Sequence, residues 1–117
     1  MRIGVLQLNS TIGAYTANRD RLLVAYTQAV RDGAECVIAP ELFLCGYPPR
    51  DLLLRPDFIE ANLAALQQTA AGIGAVPLCV GFVDRNAARP GRSLLNSAAV
   101  LQNGQIVWRT IKSLLPT

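Results

Sequence analysis

The apolar positions of this chain fall into short blocks whose spacing switches between the periods of strand and helix. Residues 2–8 (RIGVLQL) carry Ile, Val and Leu on both alternating faces, the pattern of a strand covered on two sides. A Gly-containing loop is expected over residues 9–15. Thr16 then stands where a helix cap belongs, with Asp20 near the positive end. Leu22, Tyr26, Ala29 and Val30 recur at helical spacing, and Gly33 suits a left-handed cap. Residues 36–39 (CVIA) read as a second buried strand. Strand, helix of about four turns, strand predicts a βαβ unit with parallel strands.

A long connection, residues 40–55, follows. Pro48 and Pro49 stiffen it, and Gly46 permits a tight turn. Pro56 fits the first turn of a second helix, where its missing N–H costs nothing. Ile59, Leu63, Leu66, Ala70 and Ile73 give that helix an apolar stripe, and Gly72 and Gly74 end it. Residues 78–83 predict a third strand, and 85–92 (RNAARPGR) a polar loop. Asn103-Gly104 is a strong signal for a type I′ hairpin turn inside residues 94–111. The order βαβ, αβ, hairpin predicts a layered fold mixing helices and strands.

Composition narrows the chemistry. A length of 117 residues is one domain or part of one, since domains run to roughly 100–200 residues. With 51% hydrophobic and 16% charged residues, the chain can build a core and is not disordered. The net charge of +3 comes from scattered basic residues. Only Arg85, Arg89 and Arg92 crowd together, in a polar stretch that reads as a solvated loop, so no nucleic-acid partner is expected. There is no histidine, which excludes Ser-His-Asp and Cys-His nucleophiles, imidazole metal ligands and an imidazole base. Cys36, Cys45 and Cys79 form no CxxC pattern. Their odd number and the shortness of the first apolar run predict a soluble, cytoplasmic protein with no membrane segment.

Ionisable residues at strand ends are the candidate chemistry. Glu41 follows the second strand and a proline, at the carboxyl end of a parallel strand, where ligands bind in open α/β sheets. Pro40 and residues 42–44 give it apolar surroundings that suit a general base; a capping or surface glutamate is the alternative. Lys112 ends the hairpin, beside Ile111 and residues 114–115, where its ammonium could hold an oxyanion; a solvated strand-end lysine is the alternative. Cys36 and Cys79 read as buried, unpaired strand residues. Cys45 lies near Glu41 but has no feature that would activate it. Asn9-Ser10 and Asn96-Ser97 read as polar loop punctuation, and Trp108 as core packing.

Residues 40–54 (PELFLCGYPPRDLLL) resemble the first catalytic block of the carbon–nitrogen hydrolases, the nitrilase superfamily. The extension GYPPRDLLLRPDF is similar to a narrower group, the glutaminase domains of glutamine-dependent NAD⁺ synthetases. MRIGVLQLNSTIGAYTANRDRL and LLNSAAVLQNGQIVWRTIKSLLP fit as well, so the resemblance spans essentially the whole chain. It implies an α+β fold, the α-β-β-α sandwich, of which residues 1–117 would form the first half of one domain. It implies a Glu-Lys-Cys triad in which a thiolate attacks the glutamine carboxamide. Glu41 falls on the base and Lys112 on the oxyanion-stabilising amine. The nucleophile's position lies beyond Thr117, as does a glutamine-contacting tyrosine, and none of the three cysteines matches it.

The expected partners are therefore glutamine, the remainder of the glutaminase domain, a synthetase domain and further copies in a homo-oligomer. The glutaminase portion would need no cofactor or metal. ATP, Mg²⁺ and deamido-NAD⁺ would serve the synthetase domain. A stand-alone amidase and a non-catalytic folding or interaction fragment are the competing readings.

Overall fold

The computed structural model describes residues 1–8, 14–40, 56–85 and 94–111. Among these residues five strands and two helices follow one another: β1 (Ile3–Val5), α1 (Tyr15–Arg31), β2 (Cys36–Ile38), α2 (Pro56–Ala71), β3 (Leu78–Arg85), β4 (Leu94–Gln102) and β5 (Gln105–Ile111). The strands form one sheet in chain order, β1-β2-β3-β4-β5. β1, β2 and β3 run parallel, and β3, β4 and β5 are joined antiparallel.

The two crossovers step the same way across the sheet. Right-handed connections then place both helices on one face. Burial agrees. Leu22 and Tyr26 of α1 and Leu66 and Ala70 of α2, with Ile73 just beyond α2, pack on Val37, Leu78, Val80, Phe82, Ala99 and Leu101. Each large apolar side chain so buried contributes about 1.5–3 kcal/mol. Arg19 Nη1 also donates a hydrogen bond to Gln68 Oε1, tying α1 to α2 on their outer side.

The helix ends follow from local chemistry. Gly33 has φ 95°, its N–H reaches Val30 O at 3.0 Å, and Ala34 N reaches Ala29 O at 3.0 Å. These two bonds close α1 with a Schellman motif, which needs the left-handed residue that glycine supplies. The start of α1 departs from expectation. Its N-cap is Ala14 rather than Thr16, no side chain caps it, and the first turn holds no acidic residue. Asp20, the sixth helical residue, lies too far along to meet the unpaired amides.

The hairpin turn is clasped to the end of α2. Asn103 (φ 52°) and Gly104 (φ 78°) adopt the left-handed pair of a type I′ turn. Their amides donate to Gly74 O and Ile73 O, both at 2.9 Å. Gln102 Nε2 donates to Ala75 O at 2.8 Å. The Tyr26 hydroxyl donates to Val76 O at 2.7 Å and accepts from Gly74 N at 3.2 Å. Helix α1, the α2–β3 connection and the hairpin thus meet at one end of the sheet.

The face away from the helices is open, and three expectations change there. β1 is three residues long, and Ile3 and Val5 are 54% and 64% exposed, so the strand is covered on one side only. Trp108 is 55% exposed and not part of the core. Cys36 and Cys79 are half-buried on this face and not fully buried; neither is in a disulfide. Pairing aligns Val5, Ile38, Cys79, Val100 and Trp108 in one row across all five strands. Ser97 corrects a further expectation: it is a fully buried residue of β4, not a loop residue. β3 also runs two residues further than its apolar run suggests, through Arg85.

Candidate active site

Glu41, Cys45 and Lys112 lie outside the described residues, so the site is defined by the elements that lead to them. Glu41 follows Pro40 at the carboxyl end of β2. Ile38 pairs with Cys79, and Ala39 N donates to Cys79 O at 2.9 Å. Carrying that register on, Pro40 stands level with Gly81. Lys112 follows Ile111, which pairs with Ser97, and Ser97 pairs with Phe82. The chain therefore leaves β2 and β5 at the same end of the sheet, one residue level apart. The two strands are three positions apart, about 14 Å at ~4.8 Å per strand.

This end coincides with the carboxyl ends of the parallel strands and lies opposite the clasped hairpin turn. Its helix-side floor is Phe82 and Ser97, both fully buried. The Arg109 guanidinium stands 5.5 Å from the centre of the Phe82 ring, a cation–π distance. Ser97 Oγ is buried with no hydrogen-bond partner among the described residues. A buried hydroxyl left in that state costs about 1–3 kcal/mol.

The described cysteines are poorly placed for a nucleophile at this end. Cys36 is the first residue of β2, four positions before Pro40. Cys79 sits on the open face level with Ile38. A pocket of roughly 250 Å³ lined by Arg2, Ile3, Gly4, Ala29, Asp32 and Ala34 lies near the start of β1, away from the site. Its charged lining, one arginine and one aspartate, holds no nucleophile. No group of three or more His, Cys, Asp or Glu side chains gathers among the described residues, and no described helix is long and apolar enough to cross a membrane.

One mixed sheet with both described helices packed on a single face matches a known class. The carbon–nitrogen hydrolase profile matches residues 2–117, and the chain belongs to that family. Within it, the chain is 43% identical over 98% of its length to the N-terminal part of the glutamine-dependent NAD(+) synthetase of Synechocystis. It is 36% identical to the synthetase of Rhodobacter capsulatus over the same share. It spans about a fifth of the length of these relatives, 21% and 20%. The fold agrees. A glutamine-dependent NAD(+) synthetase from Cytophaga hutchinsonii superposes with a TM-score of 0.87 at 25% identity, over 99% of this chain and 19% of that one. An amidase from Nesterenkonia shares the fold with a TM-score of 0.73 over 100% of this chain and 44% of that one.

Proposed function

We propose that this chain is the first half of a glutaminase domain that hydrolyses the side-chain amide of glutamine and delivers ammonia to NAD⁺ synthesis. The observation that carries the reading is the match along the whole chain to the start of glutamine-dependent NAD(+) synthetases, at up to 43% identity among the relatives compared. The wider family reading, a stand-alone amidase, is less favoured, because the amidase likeness is one of fold at 22% identity.

In this reading Glu41 is the general base. It takes the proton from a thiol and later returns it to the departing ammonia. Lys112 donates to the oxyanion of the tetrahedral intermediate. The thiol lies outside residues 1–117. The positions of Cys36 and Cys79 within strands support that, since neither stands at the strand ends where Glu41 and Lys112 follow. Glutamine hydrolysis by this route uses water and protein side chains, with no cofactor or metal. ATP, Mg²⁺ and deamido-NAD⁺ belong to the synthetase step, which would consume the ammonia in another domain of a cytoplasmic enzyme. The remainder of the glutaminase domain is the principal partner.

The test is ammonia release from glutamine, by the chain alone and by the chain fused to the residues that follow the matched segment in the Synechocystis relative. The chain alone is expected to be inactive, since losing a nucleophile costs about 10⁶-fold in a serine hydrolase. The fusion should be active, and Glu41→Gln should lower its turnover by about 10²–10⁴-fold. Lys112→Met should also impair it severely. Hydrolysis by the chain alone that Cys45→Ala abolishes would make Cys45 the nucleophile and overturn this assignment.

A further inference from the structure

The two edges of the sheet are built differently. β5, at one edge, carries one residue more than β4 pairs with. Ile106 lies opposite Leu101, and the next pair is Trp108 with Val100. Val107 therefore faces no residue of β4 and forms a β-bulge. Arg109, two residues on, is exposed. A bulge and a charged side chain are devices that keep an edge strand from pairing further.

β1, at the other edge, has neither. Ile3, Gly4 and Val5 are uncharged and keep a regular parallel register with Cys36, Val37 and Ile38. Glu35 N donates to Arg2 O at 2.8 Å, and Leu6 N donates to Ile38 O at 2.9 Å. A residue of a parallel strand turns its N–H and C=O toward one neighbour, and the next residue turns them the other way. Arg2, Gly4 and Leu6 thus face β2, while Ile3 and Val5 hold their backbone groups out at the free edge. Each offers one donor and one acceptor, and no strand among the described residues receives them. The side chains of Ile3 and Val5 are exposed on the open face. On the helix side Gly4 has no side chain, and the pocket of roughly 250 Å³ is lined there by Gly4, Ala29 and Ala34.

We propose that the outer edge of β1 is the docking site of a further β-strand, an extended segment of the same polypeptide from beyond residue 117. Size decides the occupant. A strand of three residues is about 10 Å long. A contact of that length falls far short of the roughly 1,200–2,000 Å² that holds separate chains together, so neither a second copy nor a free peptide would stay on it. A segment tied to the same chain arrives at an effective concentration of about millimolar and needs no such area. The relatives have chain to spare: the matched stretch is 21% of the Synechocystis synthetase and 44% of the Nesterenkonia amidase. The proposal rests on the reading of this chain as the first part of a longer domain, and adds which edge of the sheet the later part joins. The docked strand should be apolar on both faces, meeting Ile3 and Val5 on the open side and the pocket beside Gly4 on the other.

Residue-resolved amide hydrogen exchange tests this. In the chain alone, at concentrations where it sediments as a monomer, Ile3 and Val5 should exchange about a hundredfold or more faster than Gly4 and Leu6. In the chain fused to the residues that follow the matched segment in the Synechocystis relative, all four amides should be slow. Ile3 and Val5 still fast in the fusion, with Gly4 and Leu6 slow, would overturn the proposal. So would protection of Ile3 and Val5 in the chain alone. A proline substitution gives a second readout. Val5→Pro removes an outward N–H and leaves the bonds to β2 in place, which an edge strand tolerates. Compared with Val5→Ala, it should lower the urea midpoint of the fusion more than that of the chain alone, and equal shifts in both would count against the docked strand. Ammonia release is read separately. A fusion that protects Ile3 and Val5 without hydrolysing glutamine upholds this edge and fails the glutaminase reading, and a fusion that hydrolyses glutamine with both amides open does the reverse.

Discussion

Tyr26 does with one hydroxyl what a longer polar network often does. It donates to Val76 O and accepts from Gly74 N while its ring is buried against the core. Removing the hydroxyl leaves a donor and an acceptor of the α2–β3 connection without this partner. Tyr26→Phe should therefore destabilise the fold by about 1–3 kcal/mol. Urea unfolding checks this as a lower midpoint with an unchanged slope, because the surface exposed on unfolding hardly changes. A variant as stable as the parent would mean that water replaces the hydroxyl at no cost. Gly4 illustrates a different constraint at the same scale: a Cβ there would meet Ala29 Cβ at 3.2 Å and Ala34 Cβ at 3.3 Å, so the close approach of β1 to α1 depends on its absence.

Among the elements, the β4–β5 hairpin and the two helices were the most legible in the sequence. Asn103-Gly104 names its own turn type, because few other residues adopt positive φ twice in succession. Gly104→Ala should cost about 1 kcal/mol, a purely conformational penalty, since nothing lies within 4 Å of the added Cβ. Thermal unfolding of the two proteins side by side measures it. The start of α1 was misread because a threonine with an acid four residues on imitates a cap, and only geometry shows that the chain enters the helix two residues earlier. The bulge at Val107 was invisible, since an apolar run such as residues 106–108 fits a strand equally well with or without a skipped pairing. The burial of Trp108, Cys36 and Cys79 was misjudged for a related reason. Alternation tells which residues share a face, not whether anything covers it. Glu41 and Lys112 are a separate case: their sequence surroundings marked them as strand-end groups suited to a base and to an oxyanion-holding amine, beside plainer alternatives, and the resemblance singled those roles out and tied them to glutamine.

At the scale of the whole molecule, the sheet has one finished face and one unfinished face. The row from Val5 to Trp108 is apolar across five strands, about 19 Å from the first strand axis to the last. Exposed apolar patches of this breadth recruit other chains or other parts of the same chain. The 117-residue chain should therefore self-associate in solution. Sedimentation over a range of concentrations should show it, and Trp108→Lys should shift the protein toward monomer by placing a charge where Trp108 is now exposed. A parent protein that stays monomeric at high concentration would show that this face tolerates water. The same face lies beside the end of the sheet where Glu41 and Lys112 follow, so whatever covers it also closes one side of the candidate site.

The agreement between strand order and chain order has a consequence for how the protein is made. Each strand pairs with the one synthesised just before it, so no strand has to wait for a later one to be inserted between existing neighbours. The sequence distance to be closed falls from 33 and 41 residues for Ile3 with Cys36 and Ile38 with Cys79, to 21 for Cys79 with Val100 and 8 for Val100 with Trp108. Loop closure is easiest over short distances and slows as they lengthen. On a ribosome adding about 5–20 residues per second, the slow parallel pairings have time to form before the hairpin emerges. After refolding from denaturant the order inverts, and the hairpin forms first, in microseconds. Vectorial synthesis and refolding should thus reach the same sheet from opposite edges.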